Sequence, residues 1–273
     1  MVAEDVGVVR VAASGRARKP VALSSRPGVV ILFYLAVIAV AEVVIALVQP
    51  VAGILVHVAL LAGLVTHAAL VDDAGMRRLL LPLTLAPLTR ILSISMPLTI
   101  LPQIYWYPII YLPLAAGTIV VMRQTGLSRQ DVGFQATKPV WQVLIVPTGA
   151  LLGLAEYLIL RPAPLQSQLT VGTVVISASI FIMTTGLVEE WIFRGVLQRV
   201  MKDRFGWAGL LYVSLMFAVL HVGFLSVPDL VFVFGVAVLF AWLANKTGSI
   251  LGITLAHGLT NAGLYVIFPL LFR

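Results

Sequence analysis

Residues 171–200, VGTVVISASIFIMTTGLVEEWIFRGVLQRV, form a run longer than a minimal membrane span, and its second half sets Glu189, Glu190 and Arg194 among apolar residues at helical spacing. A helix crosses the hydrocarbon core with ~20 apolar residues. Charged side chains at that depth cost several kcal/mol unless they are partnered, so function is the default explanation for them. Glu190 and Arg194, at i and i+4, share one helix face and can neutralise each other. The stretch therefore reads as a buried helix that carries chemistry.

The rest of the chain agrees. Of its 273 residues 60% are hydrophobic and 11% charged, with a mean hydropathy of +1.07. These values lie far outside the range of soluble domains and define an all-α polytopic membrane protein. The net charge of +7 comes from basic residues between apolar runs, not from one basic face, so it reports topology and excludes a nucleic-acid partner. With no cysteine, disulfides, thiolate nucleophiles, Cys-ligated zinc and self-palmitoylation are excluded.

Punctuation by charge, Gly and Pro gives spans near 28–48, 51–71, 79–101, 104–122, 139–160, 171–200, 206–226, 229–245 and 249–271. Six prolines between Pro82 and Pro113 interrupt the third and fourth, so the bundle has eight or nine spans. Residues 1–27, with Arg10, Arg16, Arg18, Lys19 and Arg26, form a basic arm before an uncleaved first span. Residues 28–273 form one integral-membrane domain.

An inside N-terminus puts Arg77, Arg78, Arg123, Arg129, Lys138, Arg199, Lys202, Arg204 and Lys246 in the cytoplasm, with Arg161 and Arg273 opposite. A cell membrane with a cytoplasmic N-terminus is the expected location. The connection 123–138 is expected to hold a short surface helix capped by Ser128, with Asp131 in its first turn.

Two more spans carry polar residues in short motifs: His221 in 217-FAVLH-221, and the i, i+4 pair His257 and Asn261 in 257-HGLTN-261. With a turn at Lys202-Asp203-Arg204, Glu189 and His221 lie about 21 and 27 Å along an antiparallel hairpin. Counted from Lys246, His257 and Asn261 lie about 16 and 22 Å deep. The polar residues thus fall in one layer, nearer the cytoplasmic face. Glu42, His57, His67, Arg90 and Glu156 have no partner at helical spacing, although Glu156 can meet Arg161 near the outer surface.

Hydrolysis of an amide needs a base for water, a group that holds the water or protonates the leaving amine, and donors for the oxyanion. Glu189, His221 and the His257/Asn261 pair can supply these functions. Glu190 and Arg194 brace the helix, and Phe217 is read as core packing.

EExxxR at 189–194, FxxxH at 217–221 and HxxxN at 257–261, in that order, resemble the CPBP family of CAAX prenyl protease type 2 and abortive-infection-like intramembrane endopeptidases. The resemblance covers a catalytic core of about 139–271. It implies a helical intramembrane endopeptidase whose cavity opens to the cytoplasm and which cuts a membrane-associated or lipidated, CAAX-like protein or peptide. Glu189 and His221 would activate the water, His257 and Asn261 would stabilise the oxyanion, and Glu190 and Arg194 would support them. Trp191 is expected to shape the pocket.

No cofactor is required on this reading. A zinc or other divalent metal, if bound, would use Glu189, His221 and His257. The competing readings are a transporter or channel-like protein with charges lining a path, and a non-catalytic immunity or scaffold protein of the same fold.

Overall fold

The computed structural model describes residues 26–96 and 98–272. Nearly all of the basic arm, together with Pro97 and Arg273, lies outside the described residues. Within them there is no strand, and nine helices are long and apolar enough to cross a membrane. They are α1 (Pro27–Leu47), α2 (Pro50–Leu70), α3 (Ala74–Ser95), α4 (Gln103–Gln124), α5 (Pro139–Leu160), α6 (Val171–Phe205), α7 (Trp207–Phe224), α8 (Val227–Thr247) and α9 (Leu251–Leu271).

Local signals set the boundaries. Proline opens α1, α2 and α5, where its missing N–H costs nothing. The Asp73 carboxylate accepts from the Gly75 N–H to cap α3, and Thr170 forms a capping box with Thr173 at α6. The third span therefore starts five residues before the expected 79, because this cap outweighs the charge of Arg77 and Arg78. Pro82 sits inside the first half of α3, which breaks at Thr84 and continues.

The long helix α6 ends at Phe205, beyond the expected turn at Lys202-Asp203-Arg204. Lys202 and Arg204 sit in its last turn, where cations suit the helix dipole, and Gly206 supplies the positive φ of 58° that reverses the chain. Two stretches of α6, Ile182–Glu189 and Trp191–Leu197, are wound as π-helix, a form concentrated at functional sites. The expected surface helix at 128 does not form. Ser128 and Asp131 exchange the expected capping hydrogen bonds, but Gly133 at φ 83° ends the segment after one turn. The Ser128 hydroxyl, followed by its backbone N–H, holds the Asp131 carboxyl below its ordinary range.

The loops joining α2 to α3, α4 to α5, α6 to α7 and α8 to α9 meet at one end of the bundle. Arg78 lies 3.5 Å from Asp203, Arg199 lies 3.9 Å from Asp131, and Gln135 and Thr137 donate to the carbonyls of Gly248 and Thr247. The basic residues expected on one face thus share one end of the molecule. The bundle is apolar outside, where Leu32, Phe33, Leu55 and Leu151 are exposed, and it buries Glu42, His57, Glu190 and Asp229 completely.

The last span is gripped from two sides by glycine. Gly149 and Gly153, a GxxxG pair on α5, lie against the backbone of Ala256 and Thr260, and Gly186 and Gly258 let α6 and α9 touch. Small residues substitute for the hydrophobic drive that lipid cannot supply. A Cβ on Gly153 would meet the Thr260 carbonyl oxygen at 2.6 Å, whereas one on Gly235 meets nothing. Gly153→Ala is expected to lower the unfolding midpoint in detergent, at about 1–3 kcal/mol for overpacking. Gly235→Ala should hold or raise it through helix propensity. Equal midpoints would remove the close contact from the account.

Candidate active site

All seven residues singled out in the sequence line one cavity of about 280 Å³: Glu189, Glu190, Arg194, Phe217, His221, His257 and Asn261. Helices α6, α7 and α9 deliver them, with α3, α4, α5 and α8 completing the wall.

Glu190 is the hub. Its Oε1 accepts from Arg194 Nη1 at 3.0 Å and from His257 Nδ1 at 2.8 Å. Its Oε2 is buried with no partner among the described residues. The Arg194 guanidinium lies 4.5 Å from the Phe217 ring centre and also reaches the Ala237 carbonyl at 3.4 Å. Cation–π contact is strongest where water is excluded, and these side chains are 0% and 2% exposed for Glu190 and Arg194. Glu189, by contrast, is 14% exposed to the cavity. Adjacent carboxylates are thus sorted by environment, one locked and one presented.

Glu189 Oε1 accepts from the Tyr111 hydroxyl on α4, and its Oε2 lies 3.8 Å from His257 Nε2. His257 is therefore bracketed by both carboxylates. Because Glu190 accepts at Nδ1, that nitrogen carries a proton, and Nε2 faces Glu189. Asn261, one turn on, donates one amide N–H to Thr185 Oγ1 at 2.8 Å and keeps a second.

His221 lies just beyond the regular helix, which stops at Val219, and not within it as expected. Its Nδ1–H donates to the Phe217 carbonyl at 2.8 Å, and its backbone N–H turns to the Ala218 carbonyl at 2.8 Å. The side chain has taken the acceptor that the next helical N–H would have used, so the chain tightens into a 3₁₀ turn, Val222–Phe224. This explains the FxxxH spacing, and it leaves the Nε2 lone pair of His221 for the cavity. Phe217 stacks on more than the core: its ring meets Arg194 and its carbonyl orients His221.

Trp191 does not shape this cavity. It packs edge-on against Phe134 at 5.2 Å, because the π-turn rotates it away from Glu189 and Glu190. Several cavity residues gave no motif: Arg90, Tyr107, Tyr111, Glu156, Thr185 and Tyr265. Tyr107 and Tyr111 are an i, i+4 hydroxyl pair inside an apolar span, a signal that could have been read. Glu156 lines the cavity and forms no ion pair with Arg161 among the described residues. Glu42 accepts from Arg90 and lies 3.0 Å from His57, and Tyr34 bonds His67 at 2.8 Å, so these residues do have partners.

Among the described residues no three His, Asp or Glu side chains gather as a metal-holding group. Both imidazole Nδ1 atoms are engaged by protein acceptors, and His257 Nε2 lies 3.8 Å from Glu189 Oε2.

The family model described as Type II CAAX prenyl endopeptidase Rce1-like matches residues 169–263, the segment that holds all three motifs. This chain carries a domain of the Rce1-like CAAX endopeptidase family. The match over residues 169–263 suggests an intramembrane protease acting on protein substrates. No match to the chain exists among curated proteins or solved structures. In this Rce1-like domain the brace is open to test. Arg194→Ala strands the Glu190 charge and is expected to cost about 3–5 kcal/mol of stability. Glu190→Ala/Arg194→Ala should regain part of that loss in thermal unfolding, and a double variant no better than the single would remove the pair from the account.

Proposed function

We propose that the protein is an intramembrane endopeptidase that hydrolyses a peptide bond of a membrane-associated or lipidated, CAAX-like protein through water activated by Glu189 and His221. The observation that carries this reading is the sorting of the two glutamates: Glu190 is consumed by Arg194 and His257, and Glu189 faces the cavity.

The His221 Nε2 lone pair accepts from the attacking water and aims it. Glu189 takes one water proton as the oxygen bonds to the scissile carbonyl carbon, and the carbonyl electrons move onto its oxygen. The second N–H of Asn261 and the His257 ring stabilise that oxyanion. Two carboxylates and one guanidinium leave one negative charge, so an imidazolium at His257 makes the four-group cluster neutral. When the intermediate collapses, the carbon–nitrogen bond breaks and the proton held by Glu189 passes to the leaving nitrogen. Tyr111 keeps the Glu189 carboxylate directed at the cavity.

No metal enters this scheme. The loops of the basic end face the cytoplasm in this reading, and the membrane is the cell membrane. Residues 28–273 act as one integral-membrane domain with its catalytic core at about 139–271.

Glu189→Ala or His221→Ala is expected to cut turnover of a membrane-tethered peptide at least ~100-fold while the purified protein keeps its helical content. Undiminished turnover in both would overturn the assignment. Metal analysis with a chelator challenge should leave activity intact; stoichiometric zinc lost together with activity would contradict the scheme.

A further inference from the structure

Arg90, on α3 and outside the matched segment, lines the same cavity as Glu189 and His221. Its Nε and Nη2 donate to the two oxygens of Glu42 on α1, at 2.6 and 2.8 Å. His57 on α2 holds the Glu42 Oε1 at 3.0 Å. Glu42 and His57 are both fully buried, and the Arg90 side chain is 17% exposed. Three helices thus each spend an ionisable side chain to fix one guanidinium in the cavity wall. Apolar packing would hold three helices together at lower cost, so the arrangement calls for a ligand.

The cavity has two guanidiniums, and their states differ. Arg194 is enclosed by Glu190, the Ala237 carbonyl and the Phe217 ring. Arg90 uses one edge for Glu42 and has no protein partner for Nη1 among the described residues. It stands beside the turn that holds His221, with Nη2 3.8 Å from where a Cβ on Gly223 would lie. A planar guanidinium with a free donor edge, held in place at bilayer depth, matches a carboxylate. A peptide brings a carboxylate to that depth wherever its C-terminus enters, and an unpaired one costs several kcal/mol there.

We propose that Arg90 binds the C-terminal carboxylate of the peptide substrate, with Glu42 and His57 as its positioning residues. This rests on the peptidase reading for the identity of the ligand, and a binding measurement separates the two.

The probes are N-acetyl-Leu-Leu-Leu as the free acid, the same peptide as its carboxamide, and N-acetyl-Leu-Leu-Asp carboxamide. Binding to the full-length protein in detergent is followed by intrinsic tryptophan fluorescence or calorimetry. The free acid should bind at least tenfold tighter than either amide. Glu42→Gln/Arg90→Gln, which removes both charges of the buried pair, should abolish that preference while binding of the carboxamide stays unchanged. Arg90→Lys should retain part of it.

Equal binding of acid and carboxamide, no binding of any probe, or equal binding of the aspartyl amide would overturn the proposal, the last by assigning the site to side-chain carboxylates. A variant that weakens all three probes alike would overturn it too, by reducing Arg90 to a structural role. Parallel turnover of tethered peptides distinguishes the failures. An acid preference without cleavage sinks the peptidase reading alone, and cleavage without an acid preference sinks this proposal alone.

Discussion

One carboxylate oxygen, Oε1 of Glu190, organises the centre of this molecule. It binds Arg194 from its own helix and His257 from the last one, so the chemistry of α6 and the orientation of α9 are fixed by the same atom. A buried charge is tolerable only when its partners meet it with good geometry. Arg194 meets that demand from one side and is itself held by Phe217 of α7. The first, second and third motifs are therefore linked physically as well as in sequence: Glu190 to Arg194, Arg194 to Phe217, Phe217 to His221, and Glu190 back to His257. Removing Arg194 would leave the buried Glu190 carboxylate without its charge partner.

That centre requires the helices to approach closely, and glycine makes this feasible. Gly258 follows His257 directly, and Gly186 precedes Glu189 by less than one turn. Each faces the backbone of the opposing helix, so the polar side chains beside them reach across at hydrogen-bond distance. The π-helical turns of α6 widen the helix where Glu189 and Glu190 must point differently from Trp191. Precision at the site is bought with small residues and an irregular helix, in a bundle whose outer surface is otherwise plain hydrocarbon-facing side chains.

Much of this was legible in the sequence, for identifiable reasons. Spans follow from hydropathy, because lipid forces every backbone group into an internal hydrogen bond, and all nine appear within a few residues of their expected places. Spacing of i and i+4 puts Glu190 with Arg194 and His257 with Asn261 on one face of their own helices, and the packing of α6, α7 and α9 brings those faces to one cavity. Boundaries set by one residue's backbone were harder to read. Gly206, not the charges before it, turns α6, and Gly133 stops a helix whose cap at Ser128 is sound. The pairings Glu42 with Arg90 and Glu42 with His57 span 48 and 15 residues and follow no helical period. They arise from how α1, α2 and α3 pack, which local pattern does not encode. The pairing of Tyr111 with Glu189, 78 residues apart, is hidden for the same reason, although the i, i+4 spacing of Tyr107 and Tyr111 is not.

The account holds that a braced Glu190 frees Glu189 to drive hydrolysis of peptide bonds entering from the membrane. The most direct measurement compares membrane-derived peptides from cells expressing the wild-type protein with those from cells expressing Glu189→Ala at equal level. The prediction is a set of membrane-associated proteins whose new C-termini appear only with the wild type, together with the short fragments released from them. Identical peptide inventories in the two strains, with both proteins inserted and folded, would contradict it.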